Sequence, residues 1–220
     1  MARNAHPEVT RARILDAAQE LFAEQGYERT SIQNIVDRLG DLSKGAIYHH
    51  FASKEAILEA LGERDGNEQM SANQEIMARD DLNALDKLRE ILRHSMSDVT
   101  HLQITRSSMP MLDDPATFAA NMRFWSQELP RLWLPLFEEG IEDGSIPTEY
   151  PREAAQLLAL LPNYWMPSAF SAEPATKRDM MRRVRCLSTM LDAIGVPLFD
   201  EALIELTVNS MTFLGSERKE

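Results

Sequence analysis

Residues 30–58 read TSIQNIVDRLGDLSKGAIYHHFASKEAIL, and this stretch decides the fold of the first part of the chain. It holds two short runs with helical spacing of apolar residues, separated by Gly40-Asp41-Leu42. Ser43 begins the second run and is a favoured N-cap, because its hydroxyl accepts a hydrogen bond from a free N–H of the first turn. We therefore expect two short helices joined by a tight turn, and a third helix capped by Ser53.

The residues before this stretch predict one longer helix, from Thr10 to Gln25. Gly26 follows it, and glycine readily takes the left-handed conformation that ends a helix. Thr30 and Gln33 have the spacing of a capping box at the start of the next helix. Short helices with a tight turn between the second and the third are typical of a helix-turn-helix domain.

Residues 10–58 resemble the DNA-binding domain of the TetR/AcrR family of transcription regulators. Four passages carry the resemblance: TRARILDAA at 10–18, LFAEQGY at 21–27, TSIQNI at 30–35, and SKGAIYHHF with SKE between 43 and 55. One departure is the turn GDLSK at 40–44, which is one residue longer than the family's commonest turn.

The resemblance implies an all-α protein and a division of the chain into two domains. Residues 1–53 would be the helix-turn-helix DNA-binding domain, and residues 54–220 the domain that binds a small-molecule effector and dimerises. The implied partners are double-stranded operator DNA, a small-molecule effector and a second copy of the chain. The implied function is that of a repressor that leaves a palindromic operator when the effector binds.

Chemistry as well as resemblance indicates which side chains contact DNA. Gly45 and Ala46 leave the start of the recognition helix free of bulk, so that it can enter the major groove. Lys44 and Lys54 lie near helix N-termini, which attract phosphate, and Tyr48 has a polar tip suited to phosphate oxygens. The predicted DNA-contacting residues are Thr30, Ser43, Lys44, Gly45, Ala46, Tyr48, His49 and Lys54.

Plainer explanations stay open for several of these residues. Thr30 is explained equally well as a helix cap alone, and Tyr48 as a packed residue. His49 and His50 are poor metal ligands as a pair, because adjacent residues on a helix diverge. The sequence predicts no metal site and no cofactor.

The net charge of −12 over 220 residues is unusual for a protein that binds DNA. Residues 1–60 hold seven Lys or Arg and nine Asp or Glu, whereas the remaining residues hold 16 and 26. Most of the acidity thus lies outside the predicted DNA-binding domain, and counterion release depends on the phosphates contacted rather than on total charge.

A single cysteine, Cys186, and the lack of a long apolar run favour a cytoplasmic protein without a membrane partner.

The rest of the chain predicts further helices, to a total of nine or ten, and no strand. Helices are expected to begin at Pro115, Pro151, Pro174 and Asp200, with kinks at Pro130 and Pro135. The stripe from Met180 to Ile194 suits either a dimer interface or the protein's own core. The helices at 151–168 and 174–194 are the favoured dimer elements.

The middle of the chain is rich in methionine and aromatic residues, which line adaptable apolar pockets. The resemblance places the effector pocket there, and we expect an apolar or aromatic effector, although such residues also form ordinary core. The candidate effector-binding residues are Met96, Met109, Met111, Trp125, Trp133, Tyr164 and Trp165. Gly62 and Gly66 mark either a hinge or a close packing contact in the helix that joins the domains.

Other functions find less support in the sequence. No catalytic motif is present, and His94 with His101, seven residues apart on one predicted helix, have no clear acidic partner. A protein of this fold that acts mainly through protein contacts, with weakened DNA binding, is an alternative supported by the longer turn and the acidic balance. The sequence is compatible with an activator as well as with a repressor.

Overall fold

The computed structural model describes residues 7–166 and 175–215, and all regular structure in these residues is helical. The prediction of an all-α fold is confirmed. The α-helices are α1 (Pro7–Gln25), α2 (Ile32–Leu39), α3 (Lys44–His50), α4 (Lys54–Met77), α5 (Ala84–Ser97), α6 (Val99–Ser108), α7 (Pro115–Arg123), α8 (Leu129–Glu142), α9 (Pro151–Leu160), α10 (Lys177–Ala193) and α11 (Glu201–Leu214).

The chain breaks at Asp98, where the sequence predicts one helix that carries both His94 and His101. α5 ends at Ser97 with Asp98 as its C-cap, and α6 begins at Val99. His94 and His101 therefore belong to different helices, and the prediction that they share one helix face is wrong. The Asp98 carboxylate causes the break, because its Oδ1 accepts a hydrogen bond from the His101 N–H at 3.0 Å and so caps α6.

Two predicted helices are interrupted by single π-helical turns. One turn, Phe124–Glu128, joins α7 to α8, and the other, Leu161–Trp165, follows α9 and contains Pro162. Proline lacks an N–H and its ring clashes with the preceding turn, so the ladder of hydrogen bonds is disturbed near it. The predicted kink thus lies just before Pro130, whereas α8 continues through Pro135.

The helix expected to begin at Pro174 cannot be compared at that residue, which lies outside the described residues. α10 begins at Lys177, and Thr176 caps it in a capping box with Asp179. The helix expected to begin at Asp200 begins at Glu201, with Asp200 as its N-cap.

The chain divides into two compact units. The first comprises residues up to Glu68 together with Gln103–Ser108, and the second comprises Gln69–Leu102 with the residues from Met109 onward. α4 belongs to both units, because the division falls within it after Glu68. Within the described residues, no helix is long and apolar enough to cross a membrane.

The core of the first unit is built from the apolar faces of α1 to α4. Ile14, Ile35, Ile47, Ile57 and Leu58 are fully buried. Gly40 ends α2 with a φ of 74°, and its N–H donates to the Val36 carbonyl at 2.9 Å. A left-handed residue is needed at this point to turn the chain from α2 towards α3, and glycine takes that conformation without strain.

The second unit has its own core, which includes the stripe on α10. Met180, Val184, Leu187 and Leu191 are almost completely buried in this core. Of the two interpretations of the stripe, the structure supports the protein's own core. An intersubunit face on α10 would have to use its outward residues, such as Met190, which is 39% exposed.

Candidate functional site

α3 is held on the first unit by one buried face. Ile47 is fully buried and Phe51, the C-cap, is 4% exposed. Ser43 caps the helix, and its Oγ accepts a hydrogen bond from the Ala46 N–H at 3.2 Å. These contacts fix both ends of a helix of only seven residues, which would not be stable alone.

The opposite face of α3 is open to solvent. Ser43, Lys44 and Gly45 are exposed, and Tyr48 is 47% exposed. Lys44 and Tyr48 are four residues apart and therefore neighbours on this face, with the Lys44 Nζ 6.0 Å from the Tyr48 ring centroid. The structure thus places Tyr48 at the surface, although the sequence left a packed position open.

His49 is exposed as well, and α3 carries no acidic residue. Lys44 has no hydrogen-bonded or ion-pair partner among the residues that the structure describes. Gly45 has only the Ser43 Oγ near the position of a Cβ, at 3.8 Å. This face can therefore approach the floor of a groove closely and bring a cation and two hydrogen-bonding rings to phosphates.

Lys54 lies in a different environment, at the start of α4. Its Nζ donates to the Tyr27 carbonyl at 2.9 Å and lies 4.0 Å from the Tyr27 ring centroid. The Tyr27 hydroxyl donates to Glu55 Oε1 at 3.3 Å. Burial, and then the charge of Glu55, raise the pKa of Tyr27. Lys54 therefore joins α4 to the end of α1, and its contact with phosphate stays a prediction.

The prediction that Thr30 and Gln33 form a capping box is wrong. Thr30 is 2% exposed, and its hydroxyl donates to the Gly26 carbonyl at 2.8 Å. Its N–H donates to the Tyr27 carbonyl at 3.1 Å. Both groups are thus used inside the protein, and Thr30 offers neither of them to a phosphate.

Ser31 is the N-cap of α2 instead. The Asn34 N–H donates to Ser31 Oγ at 3.2 Å, and the Ser31 N–H donates to Asn34 Oδ1 at 2.9 Å, which completes a capping box. The Ser31 side chain is exposed at the N-terminus of α2. The spacing of Ser31 and Asn34 was a usable signal for this cap, but the Thr30–Gln33 pair one residue earlier fitted the commoner pattern.

The longer turn before α3 is tied to α1 by an ion pair that sequence reasoning missed. Arg13 Nη2 lies 2.7 Å from Asp41 Oδ1, and both side chains are about half exposed. This hydrogen bond to the guanidinium lowers the pKa of the Asp41 carboxyl. Asp41 thus connects the turn directly to the longest helix of the helix-turn-helix region.

Several carboxylates of the first unit are paired with arginines of the same unit. Arg38 pairs with Glu20 and Glu24, and Arg64 pairs with Asp16 at 2.7 Å. These pairs lie on α1, α2 and α4, whereas α3 itself carries no acidic residue. A local basic face and an acidic overall charge therefore coexist.

The candidate effector-binding residues have unequal positions in the second unit. Met96 is 7% exposed and packed in the core, where its Sδ accepts from the Thr207 hydroxyl at 3.1 Å and its carbonyl from the Ser210 hydroxyl at 2.7 Å. Both neighbours hold it in place, so Met96 is a core residue and its assignment to the pocket is corrected. Trp133 also packs against this core, although it is only partly buried.

Three other candidates, Trp125, Tyr164 and Trp165, lie within the two π-helical turns. The Tyr164 hydroxyl donates to Asn121 Oδ1 at 2.7 Å, and its ring lies edge-on to Phe118 at 5.9 Å between centroids. Burial raises the pKa of Tyr164. Trp125 stands in the first turn and Trp165 in the second, and π-helical turns are frequent at functional sites. Met109 and Met111 lie in a 3₁₀ turn before α7 and are half-buried.

A groove between α8, the first π-helical turn and α9 has a volume of about 210 Å³. Its walls include Arg131, Arg152 and Gln156. None of the seven predicted effector residues lines this groove. The candidate effector site and this groove are therefore separate features of the second unit.

Part of the first unit is similar to known proteins. Residues 14–61 match the family model described as bacterial regulatory proteins, tetR family. The HTH-type transcriptional repressor KstR2 of Rhodococcus jostii is 29% identical over 151 residues, which cover 66% of this chain and 72% of that protein. The A-factor receptor protein of Streptomyces griseus is 48% identical over 61 residues, which are 28% of this chain and 22% of the receptor.

A solved structure shows the same fold over most of the chain. It is a tetR-family transcriptional regulator from Pectobacterium atrosepticum, with a TM-score of 0.61 and 23% identity. The match covers 88% of this chain and 98% of that one. At this identity it shows the fold alone.

Proposed function

We propose that this chain, which belongs to the tetR family of bacterial regulatory proteins, represses transcription by binding a palindromic operator as a dimer and leaves it when a small molecule binds. The chain is a DNA-binding transcriptional regulator. In this proposal it acts in the bacterial cytoplasm, where the chromosome lies.

The observation that carries the proposal is the outer face of α3. Ile47 and Phe51 hold the helix on the first unit, and the exposed Lys44 and Tyr48 share one side of it. A helix held in this way can enter the major groove with its N-terminal end, while the lysine and tyrosine contact phosphates. The proposed contacts are Ser43, Lys44, Gly45, Ala46, Tyr48, His49 and Lys54, with Ser31 added and Thr30 withdrawn.

We propose a dimer because one recognition helix contacts too few base pairs to select a single operator. A single helix contacts only a few base pairs, whereas two helices related by a two-fold axis read a palindrome. The outward residues of α9 and α10 are the proposed interface. Leu157 on α9 is 38% exposed and Met190 on α10 is 39% exposed.

The effector is proposed to bind in the second unit, beside the π-helical turns. Tyr164, with Phe118 and Asn121, gives this region aromatic surface and polar groups. A similar protein is named a receptor, which supports a regulator that responds to a ligand. A ligand releases the operator only if its affinity differs between the two conformational states.

Selection of bound sites from random duplex DNA, at a low and a high salt concentration, tests this function. We expect a palindrome with half-sites about one helical turn apart and weaker binding at the higher salt concentration. The double variant Lys44→Ala/Tyr48→Ala should enrich no sequence. Equal enrichment by the variant, or none by the natural protein at either salt concentration, would favour a protein of this fold that acts through protein contacts.

A further inference from the structure

Two buried carbonyl oxygens lie on α4 in the second unit. Gln69 Oε1 and Asn73 Oδ1 are shielded from solvent and have no hydrogen-bond partner in the part of the chain that the structure describes. Buried polar atoms are nearly always paired, so such exceptions need an explanation. The two residues are four positions apart and therefore lie on the same face of the helix.

The orientation of the Gln69 amide is determined by its neighbour. Gln69 Nε2 donates to Asp98 Oδ2 at 2.9 Å, while Asp98 Oδ1 accepts from the His101 N–H at 3.0 Å. A carboxylate only accepts hydrogen bonds, so the amide nitrogen must face Asp98 and the oxygen must face away from it. The unpaired group of Gln69 is thus an acceptor.

The same face of α4 becomes apolar towards its C-terminal end. Ile76 and Met77 pack against the core of the second unit. Gln69, Asn73 and Asp98 also belong to this unit. Small-molecule sites have this composition, since apolar walls provide most of the contact and a few polar groups fix the orientation of the ligand.

We propose that Gln69 and Asn73 form a small-molecule site of their own on α4 and bind a hydrogen-bond donor of the ligand, either a hydroxyl or an ammonium group. This inference goes beyond the proposed function and makes the ligand an apolar molecule with a donor at one end. Amide oxygens accept from both kinds of donor, whereas a ketone, ether or carboxylate would add another acceptor. Both residues lie on the helix that begins at Lys54 in the first unit, so a ligand held here acts on the helix shared by both units.

Crystals of the full chain soaked separately in 1-butanol, n-butylammonium chloride and diethyl ether test the proposal. The alcohol and the ether are isomers, and only the alcohol has a donor. We expect the hydroxyl or the ammonium within about 3.2 Å of Gln69 Oε1 or Asn73 Oδ1, and no ether there. The first two soaks decide which donor the site prefers. Both oxygens paired with protein groups, or with a water that neither donor displaces, would overturn the proposal.

Variants give a second measurement in solution. Asn73→Leu keeps the size of the side chain and removes the acceptor, while Gln74→Leu changes an exposed amide one residue further along α4. We expect the donor probe found in the crystals to raise Tm in the natural protein and in the Gln74 variant, and to raise it less than half as much in the Asn73 variant. Equal shifts in all three proteins would contradict the inference.

The outcome is separable from that of the proposed function. If the protein selects an operator but binds neither donor probe, the proposed regulatory function stands and the proposed site on α4 is excluded. If the protein binds a donor probe but selects no operator, the proposed site stands and the proposed DNA-binding function is excluded.

Discussion

Thr30 and Ser31 are adjacent hydroxyl residues with opposite surroundings. The buried Thr30 hydroxyl donates to Gly26 and accepts from Gln25 Nε2 at 3.2 Å. We expect Thr30→Val to lower the free energy of unfolding by about 1 kcal/mol, because it removes the hydrogen bonds of the Thr30 hydroxyl. Urea denaturation measures this loss, and operator affinity per folded molecule should not change.

Ser31→Ala is the matched comparison for this change. It removes the N-cap of α2 and should cost about 0.5–2 kcal/mol of stability. If Ser31 also contacts phosphate, the variant should bind operator more weakly even after correction for unfolded protein. A loss of operator affinity in the Thr30 variant but not in the Ser31 variant would reverse our assignment.

Lys44 supports a prediction about salt dependence. Lys44→Ala removes one phosphate contact from each subunit, so the slope of log affinity against log salt should become shallower by about two for a dimer. Lys177→Ala is the control, because Lys177 is likewise an exposed lysine at the first position of a capped helix. Titrations of labelled operator at several salt concentrations give the slopes, and equal slopes for the two variants would exclude Lys44 from the interface.

At the scale of elements, α4 is the helix whose stiffness can be changed without altering contacts. A Cβ built at Gly62 or Gly66 meets nothing within 4 Å, so close packing does not account for these glycines and the hinge hypothesis stays. Gly62→Ala with Gly66→Ala should raise the free energy of unfolding by about 1 kcal/mol for each substitution. If the segment is a hinge, operator affinity should change as well.

Denaturation and operator titration of the same samples test this prediction. Glu75→Gly, at an exposed position of α4, is the control and should lower stability by a similar amount. A double variant that is more stable but has unaltered operator affinity would defeat the hinge hypothesis.

At the scale of the whole molecule, the proposed dimer places Leu157 and Met190 between two subunits. In a symmetric dimer, Leu157→Glu or Met190→Glu would bury one charged side chain from each subunit in the interface. We expect the dissociation constant of the dimer to rise about tenfold or more, equivalent to about 1.4 kcal/mol. Sedimentation at several concentrations measures it, with Val99→Glu, at a residue 63% exposed on α6, as the control. An unchanged dimer in both test variants would move the interface elsewhere.

The stability of the whole chain should also depend on acid. Several carboxylates that cap helices or turns have a lowered pKa: Asp114 through the Thr117 N–H, Asp143 through Ser145 and then the Ala84 N–H, and Asp179 through Thr176. A lowered pKa in the folded state means that the contribution is complete above the unfolded value, near 3.8. It is lost as the pH falls through the folded value.

We therefore expect the free energy of unfolding to fall as the pH drops below about 4. Asp143→Asn should be less stable at neutral pH and lose less on acidification, whereas Asp80→Asn, at an exposed residue between α4 and α5, should follow the natural protein. Urea denaturation across this pH range measures both curves. Parallel curves for Asp143→Asn and the natural protein would show that this carboxylate has no part in the acid response.

The sequence by itself determined the helical fold, the helix-turn-helix region and the buried face of α3. Periodicity and caps carry that information locally: Ser43 and Ser53 cap the predicted helices, and Ile47 and Phe51 are buried as expected. The predictions that failed concern choices between neighbouring residues of equal propensity, such as Thr30 against Ser31. Only the packing of Thr30 against the end of α1 decides which hydroxyl is free to cap α2.

Tertiary structure alone decided the features that join distant parts of the chain. The Arg13–Asp41 pair spans 28 residues, and the hydrogen bond from Gln69 to Asp98 spans 29, so no local pattern encodes either. In the sequence, an apolar stripe or a methionine looks the same whether it faces the core, a pocket or a partner subunit. Burial assigned Met96 and the α10 stripe to the core, because burial depends on which other helices cover a face and not on the face itself.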